Sequence, residues 1–188
     1  MEVRIRPYRI ADHAAMIAME AQVASYRPED QPAVDAMYQR ANKAKEADTG
    51  IWMPTPQLPN RTIAEEFNAF WVAEAENGDI VGMAGGQQFL LEEILPLTHS
   101  LAKRWQNREQ VAELRRLRVA ESARRRGLGK ALSQTVIAWA QEQGYPTLLV
   151  NTTSPQLPAL TLYRSLGFQD VGLSYMGEYE IVWMEMRL

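Results

Sequence analysis

The chain has 188 residues, of which 46% are hydrophobic and 23% charged, and its formal net charge is −3. This length and composition predict a single domain over residues 1–188 with a sizeable core, and they exclude a mainly disordered chain. The longest apolar run, Ala14 to Met19, is far shorter than the roughly 20 residues of a membrane helix, so we expect a soluble, cytoplasmic protein that binds no membrane.

The N-terminal half of the chain predicts strands and helices in alternation. The predicted segments are a short strand at Val3–Ile5, a helix from Asp12 to about Ser25, a helix from Pro32 to about Ala47, and strands at 69–75 and 80–90. Asp12 and Pro32 are favoured at helix starts, and Asn77-Gly78-Asp79 favours a hairpin between the two later strands. Prolines in 48–61 oppose regular structure. The stretch 92–111 fits no single pattern, and a short helix is one alternative.

The C-terminal half gives a clearer pattern. The predicted segments are a strand from Glu113 to Val119, a helix at 128–143, a strand from Thr147 to Val150, a helix from Ala159 to Leu166, and strands near 168–175 and 179–187. Apolar residues of the first helix form one stripe, and Gly144 and Gly167 follow the two helices where a C-terminal cap is expected. The chain therefore predicts an α/β domain with one central sheet.

Basic residues are concentrated in one window. Residues 101–130 carry 10 of the 20 lysines and arginines but only 3 of the 23 acidic residues. Such a cluster attracts an anion, either a phosphate-bearing cofactor or nucleic acid, although a solvated basic face has the same composition. The sequence pI near 5.5 argues against a dedicated nucleic-acid binder.

Cysteine is absent and histidine occurs only as His13 and His99. This excludes disulfides, thiolate nucleophiles and zinc-finger ligand sets, and we expect no bound metal. Any chemistry must therefore rely on carboxylates, tyrosine, backbone amides or a cofactor.

The stretch between the predicted strand at 113–119 and the helix at 128–143 is the most informative. It is Arg124-Arg125-Arg126-Gly127-Leu128-Gly129-Lys130. Its glycines let the backbone approach a ligand, the amides at a helix start attract anions, and the arginines add charge-assisted hydrogen bonds. It lacks the Gly-Lys-Ser/Thr of a Walker A loop and the third glycine of a dinucleotide fingerprint. It therefore predicts phosphate binding without nucleotide hydrolysis.

Two further motifs frame this stretch, namely Leu117-Arg-Val119 before it and Ala159-Leu-Thr-Leu-Tyr163-Arg-Ser-Leu-Gly167-Phe168 after it. In this order the three motifs resemble the GNAT superfamily of N-acetyltransferases over residues 113–168. The resemblance implies a mixed, mostly antiparallel sheet flanked by helices, with central strands that splay apart to form the acyl-CoA cleft. It also implies acetyl-CoA as cosubstrate.

The resemblance implies site residues as well. The backbone of Leu117 and Val119 would bind the pantetheine arm of acetyl-CoA. The groups expected to bind its pyrophosphate are the amides of Arg125, Arg126, Gly127, Leu128, Gly129 and Lys130, with the side chain or backbone of Arg124. Other cofactor contacts are expected from Asn151, from Ala159, and from Gln156, which stands where the family commonly has asparagine. Tyr163 matches the family tyrosine that lies near the thioester sulfur and is often the general acid, although a tyrosine that simply packs in the helix is the alternative.

Glu113 lies six residues before Val119, where several family members carry a glutamate that acts as general base. Unless a bulge changes the parity, a regular strand would put four residues on one face, namely Glu113, Arg115, Leu117 and Val119. The alternative for Glu113 is a surface ion pair with Arg115 and Arg116.

These residues support three hypotheses about function. The first is an enzyme that moves an acetyl group from acetyl-CoA to a primary amine by direct attack in a ternary complex, with Glu113 as base and Tyr163 as acid. The second is a non-catalytic acyl-CoA-binding regulatory module. The third, a nucleic-acid binder through residues 101–130, ranks last. The acceptor would be a small-molecule or peptide amine near residues 28–62, where Ile51-Trp52-Met53-Pro54 offers an apolar surface, and a homodimer is left open.

Overall fold

The structure is a computed structural model that describes residues 2–23, 26–50, 52, 67–89, 100–105 and 111–188. In these ranges a seven-stranded sheet carries helices on both faces. The strands are β1 Val3–Pro7, β2 Ala69–Ala75, β3 Ile80–Gln88, β4 Val111–Val119, β5 Thr147–Thr153, β6 Gln169–Met176 and β7 Tyr179–Arg187. The α-helices are α1 His13–Gln22, α2 Gln31–Glu46, α3 Ser100–Trp105, α4 Leu128–Glu142 and α5 Leu157–Ser165.

The strands lie in the order β1-β2-β3-β4-β5-β7-β6, and within this sheet only β4 and β5 run parallel. Their pairing is short, from Val111 opposite Thr147 to Leu114 opposite Val150. Beyond it, the rest of β4 pairs with β3 and the rest of β5 pairs with β7. The two central strands therefore splay apart, and the expected mixed, mostly antiparallel sheet flanked by helices is confirmed. We call the opening between them the β4–β5 gap.

Different helices cover the two faces of the sheet. On one face, Leu132 of α4 and Leu160 of α5 pack in one cluster with Leu114 of β4. On the opposite face, Met16 of α1 packs over β2 and β3, and Trp105 of α3 packs over β5 and β7. Successive residues of β2, β3, β5 and β7 face the α4 side and the opposite side in turn, as the period of a strand requires.

A β-bulge in β4 places Arg116 and Leu117 together opposite Ala84 of β3. The bulge inserts one extra residue and so reverses the parity of the strand. As a result, Leu117 and Val119 pack on the face covered by α4, the α4 face. Glu113, before the bulge, lies on the same side as Val111, which packs against α3; we call this side the α3 face. The condition attached to the prediction of one shared face is therefore met: a bulge changes the parity, and Glu113 does not share a face with Leu117 and Val119.

The predicted helices and strands are confirmed with shifted ends. β5 runs past Val150 to Thr153 because its polar end pairs with β7, and α5 begins at Leu157 with Pro158 in its first turn. Within 92–111, the described part holds the short helix α3 and the start of β4. The predictions that lie outside the described residues are those on Ser25, Ile51, 53–62 (with Met53 and Pro54), Leu90, 92–99 (with His99) and 106–110.

Gly86 of β3 lies where α4 approaches the sheet closely, since a Cβ atom there would be 2.5 Å from the ring of Trp139. We expect Gly86→Ala to lower the free energy of unfolding by about 1–3 kcal/mol, the usual cost of overpacking a core, in urea denaturation. The control is Gly129→Ala, whose added methyl meets its nearest neighbour at an ordinary 3.4 Å. Equal losses in both variants would contradict the steric explanation.

Candidate active site

The loop at residues 124–130, which we call the arginine loop, presents free backbone amides. Arg125 and Gly127 both have positive φ, 59° and 77°, and Gly127 is the residue before α4. In the described part of the chain, the amides from Arg125 to Lys130 have no hydrogen-bond partner, and the side chains of Arg125 and Arg126 are exposed. Unpaired amides at the positive end of a helix, flanked by cationic side chains, form an anion-binding site.

Two arginine side chains turn toward carbonyl groups of β4. Arg124 Nε donates to the carbonyl oxygen of Val119 at 3.2 Å, and Arg118 Nη1 donates to that of Leu117 at 3.1 Å. The sequence left open whether Arg124 contributes its side chain or its backbone to the anion site. In the structure, the Arg124 side chain is hydrogen-bonded to β4.

The amides of Leu117 and Val119 face the β4–β5 gap. Two hydrogen bonds show which residues of β4 pair with β3 on each side of the bulge. Phe89 N donates to the Val111 carbonyl, and Ala120 N donates to the Val81 carbonyl. Alternate residues of an antiparallel pair bond to the partner strand, so odd-numbered residues before the bulge and even-numbered residues after it bond to β3. Leu117 and Val119 therefore direct their N–H groups to the other edge, from which β5 has diverged.

Tyr163 lies on α5 at the same face as these amide-bearing residues. Its side chain is buried in the cluster that contains Leu117 and Val119, and its hydroxyl has no hydrogen-bond partner among the described residues. Burial raises the pKa of Tyr163 to about 12, although the positive charge of Arg118 acts in the opposite direction. The phenol therefore stays protonated at neutral pH. A buried donor without a partner is costly in a folded protein, which is typical of a group kept for a ligand.

Glu113 is almost fully buried, with 1% of its surface exposed. Its carboxylate accepts a hydrogen bond from Asn151 Nδ2 at 2.7 Å and from Gln87 Nε2 at 3.2 Å, and Arg115 Nε lies 3.9 Å away. The alternative of a surface ion pair is therefore wrong, and Arg116 pairs with Glu20 instead. Sequence reasoning missed Gln87, which becomes visible only once the β3–β4 register places it opposite Glu113.

The residues expected at the entry to α5 divide into different roles. Asn151 of β5 reaches Glu113 at the closed end of the gap. Gln156 accepts a hydrogen bond from Thr152 Oγ1 at 2.6 Å, so its side chain is engaged with the end of β5. Ala159 packs against the cluster on the α4 face.

Several tyrosines, which sequence reasoning did not single out, surround the open end of β5. Tyr26 donates to Thr153 Oγ1 at 2.8 Å, and Tyr38 of α2 contacts the ring of Tyr179 at 6.1 Å between centroids. Burial pushes the pKa of the neighbouring Glu180 upward, but hydrogen bonds, above all from Arg40, outweigh burial and leave this pKa below its ordinary value. This end of the sheet thus combines phenol groups with a carboxylate already neutralised by an arginine.

The basic residues of 101–130 that the structure describes are dispersed. Arg104 pairs with Glu185 at 2.6 Å on the α3 face, whereas the arginine loop lies at the start of α4. Among the described residues there is no group of three or more acidic or histidine side chains placed to hold a metal ion. None of the helices described is both long enough and apolar enough to cross a membrane.

The fold and the site together define a class of protein. In this class two central strands splay apart, and a helix that begins with free backbone amides lies beside the gap between them. Comparison with known proteins agrees with this class. Residues 32–168 match the model of the acetyltransferase (GNAT) family, which is well over half of the chain. The chain belongs to this family, and the resemblance in the sequence motifs is confirmed.

One similar protein is human N-acetyltransferase 8, which is 36% identical over 113 residues, equal to 60% of this chain and 44% of that protein. The chain therefore spans less than half the length of this curated relative. Two solved structures share the fold. The NatC complex bound to Gag peptide and CoA matches with a TM-score of 0.61 and 16% identity, covering 100% of this chain and 99% of that one. Arabidopsis thaliana NAA60 with a bisubstrate analogue matches with a TM-score of 0.62 and 14% identity over the same shares, 100% and 99%.

The raised pKa of Tyr163 predicts a loss of stability in alkali. Between the ordinary pKa of 10.0 and the folded value of about 12, the folded state still binds a proton that the unfolded state has released. The free energy of unfolding should therefore fall with rising pH by up to about 1.4 kcal/mol per pH unit from this group. Urea denaturation from about pH 9 to about pH 12 should show a shallower fall for Tyr163→Phe than for the natural chain. Equal slopes would contradict the assignment.

Proposed function

We propose that this protein is an N-acetyltransferase that moves an acetyl group from acetyl-CoA to a primary amine. The observation that carries the proposal is the β4–β5 gap, because free amides line one of its edges and the anion-binding arginine loop adjoins it. Family membership supports acetyl transfer as the reaction. The solved NatC complex contains CoA, which supports a thioester cosubstrate for a chain of the same fold.

The residues present fit acetyl-CoA. The amides from Arg125 to Lys130 match the oxygens of a pyrophosphate, and the exposed side chains of Arg125 and Arg126 add positive charge. The amides of Leu117 and Val119 match an amide-containing arm that extends the ladder of β4. Bound there, acetyl-CoA supplies an acetyl group activated as a thioester.

Glu113 accepts the proton that the acceptor ammonium group loses before attack, directly or through a water molecule. Asn151 and Gln87 hold its carboxylate in one orientation, as a positioned base requires. With no cysteine in the chain, no cysteinyl thioester forms, so the amine attacks directly in a ternary complex. The amide of Val119 donates to the oxygen that gains negative charge, and Tyr163 Oη donates its proton to the departing sulfur as the C–S bond breaks. The nitrogen loses its second proton as the amide forms, and this proton, passed through water, restores the phenol. Much of the acceleration comes from holding the two reactants together.

The acceptor is a small-molecule or peptide amine that enters beside the tyrosines at the open end of β5. Tyr26 and Tyr179 offer apolar rings with hydroxyl acceptors, a combination that suits an ammonium group on a carbon chain. The solved NatC complex contains a peptide, which supports a peptide among the acceptors to be tested.

We expect acetyl-CoA to stabilise the protein in a thermal-shift titration. A ligand at a hundred times its dissociation constant adds about 2.7 kcal/mol to folding stability. Acetyl-CoA and CoA should raise the Tm, whereas ATP and NADPH should not. The double variant Arg125→Ala/Arg126→Ala should need a higher concentration for the same shift. Its control is Arg164→Ala, which removes an exposed arginine paired with Asp170.

Absence of a shift at millimolar acetyl-CoA would contradict the proposal and would favour a test of DNA and RNA binding at low salt. A clear shift without acetyl transfer to a broad panel of amines would favour the non-catalytic acyl-CoA-binding module instead.

Tyr163→Phe tests the proton donor. We expect kcat to fall about tenfold or more, the usual contribution of a positioned acid, while KM for acetyl-CoA changes little because the phenol holds no part of the pyrophosphate or pantetheine. Steady-state kinetics with the best amine of the panel measures both quantities. The control is Tyr145→Phe, which removes a hydroxyl from a tyrosine that packs on Trp139 beyond the far end of α4. An unchanged kcat would remove Tyr163 from the mechanism.

A further inference from the structure

Arg116 adopts a backbone conformation that residues other than glycine seldom adopt. Its φ is 52°, in the left-handed region where Cβ crowds the following carbonyl. It lies in the middle of β4, at the bulge opposite Ala84. Such a residue persists only where its surroundings hold it, and it commonly marks a functional site.

Glu20 of α1 supplies one such restraint. Arg116 Nη1 lies 3.3 Å from Glu20 Oε2, and both side chains are less than a third exposed. The helix that carries Glu20 is itself fixed, because Met16 and Met19 are buried against β2 and β3. The ion pair therefore ties the strained residue of β4 to a rigid element on the opposite face from α4.

The consequence of the bulge is the direction of two amides. Without the extra residue, Leu117 and Val119 would keep the parity of Val111, bond to β3, and turn their side chains away from α4. With it, their N–H groups face the β4–β5 gap. The geometry of the gap thus depends on Arg116 staying in its left-handed conformation.

We propose that Glu20 and Arg116 are positioning residues that hold the β4 bulge and so keep the amides of Leu117 and Val119 in the gap. For the ligand that these amides receive, the inference rests on the proposed function. For the bulge itself, it rests on the backbone geometry alone. Glu20 acts through Arg116 and touches no reactant.

The test is a cycle of four proteins: the natural chain, Glu20→Gln, Arg116→Gly, and both changes together. Glycine tolerates the left-handed conformation without a restraint, so the double variant should not need Glu20. We expect Glu20→Gln to raise the Kd for acetyl-CoA about threefold to fivefold, the scale of a partly exposed ion pair, measured by calorimetry at low salt. In the Arg116→Gly background the same change should alter the Kd by less than twofold. A general loss of packing would not vanish on adding glycine.

A second readout uses no ligand. Hydrogen exchange of the Arg118 and Ala120 amides, which the register directs to β3, should quicken about threefold to fivefold when Glu20→Gln is made in the natural chain. The same change made in the Arg116→Gly background should leave this exchange unaltered. Glu142→Gln, an exposed acid at the end of α4, is the matched control and should change neither readout.

Equal effects of Glu20→Gln in both backgrounds, or no effect in either, would overturn the proposal. If the natural chain binds no acetyl-CoA while hydrogen exchange follows the expected cycle, the positioning role stands and the proposed function fails. If acetyl-CoA binds but Glu20→Gln does not change hydrogen exchange at Arg118 and Ala120, the proposed function stands and the positioning role fails.

Discussion

The structure depends on the point at which β4 and β5 stop pairing. After Leu114 and Val150 the two central strands separate, which opens unpaired backbone in the middle of a sheet, where such groups are normally bonded. Two side chains of the chain itself reduce this cost, because Arg118 and Arg124 donate hydrogen bonds to the carbonyls of Leu117 and Val119. The amides of the same two residues stay free, so the edge offers donors to a ligand.

The two halves of the sheet are linked by contacts at the closed end of the gap and along one face. At the closed end, Asn151 of β5 bonds Glu113 of β4 where the last strand pairs form. Along one face, α4 packs closely on β3 and against α5: a Cβ at Gly82 would lie 3.0 Å from Leu132, and one at Gly129 would lie 3.4 Å from Leu162 of α5. Small residues therefore let one helix pack on β3 and on α5 at once. This bracing explains how a sheet can stay open without collapsing into a continuous ladder.

Local sequence was enough to predict the elements that carry their own stop and start residues. Gly127 before α4 and Gly167 after α5 have the positive φ that glycine permits, and the arginine loop, which contains Gly127, was recognisable from composition alone. The bulge was not, because Arg116 is no typical left-handed residue and is restrained by Glu20, which is remote in sequence. The Gln87–Glu113–Asn151 contacts were likewise hidden, since they require the register of three strands. What local residue preference decides was predictable, and what tertiary contact imposes was not.

The proposed acid and base lie on opposite faces of the sheet, and the gap is the place where the two faces connect. Tyr163 is buried on the α4 face with Leu117 and Val119, whereas Glu113 belongs to the α3 face. In a continuous sheet a layer of bonded backbone would separate them, and no reacting group could contact both. Where β4 and β5 diverge, an amine approaching from the side of the base and a sulfur departing toward the phenol can share one line through the sheet. The splay is then more than a cofactor slot, because it lets the proposed proton removal and proton delivery serve a single reaction.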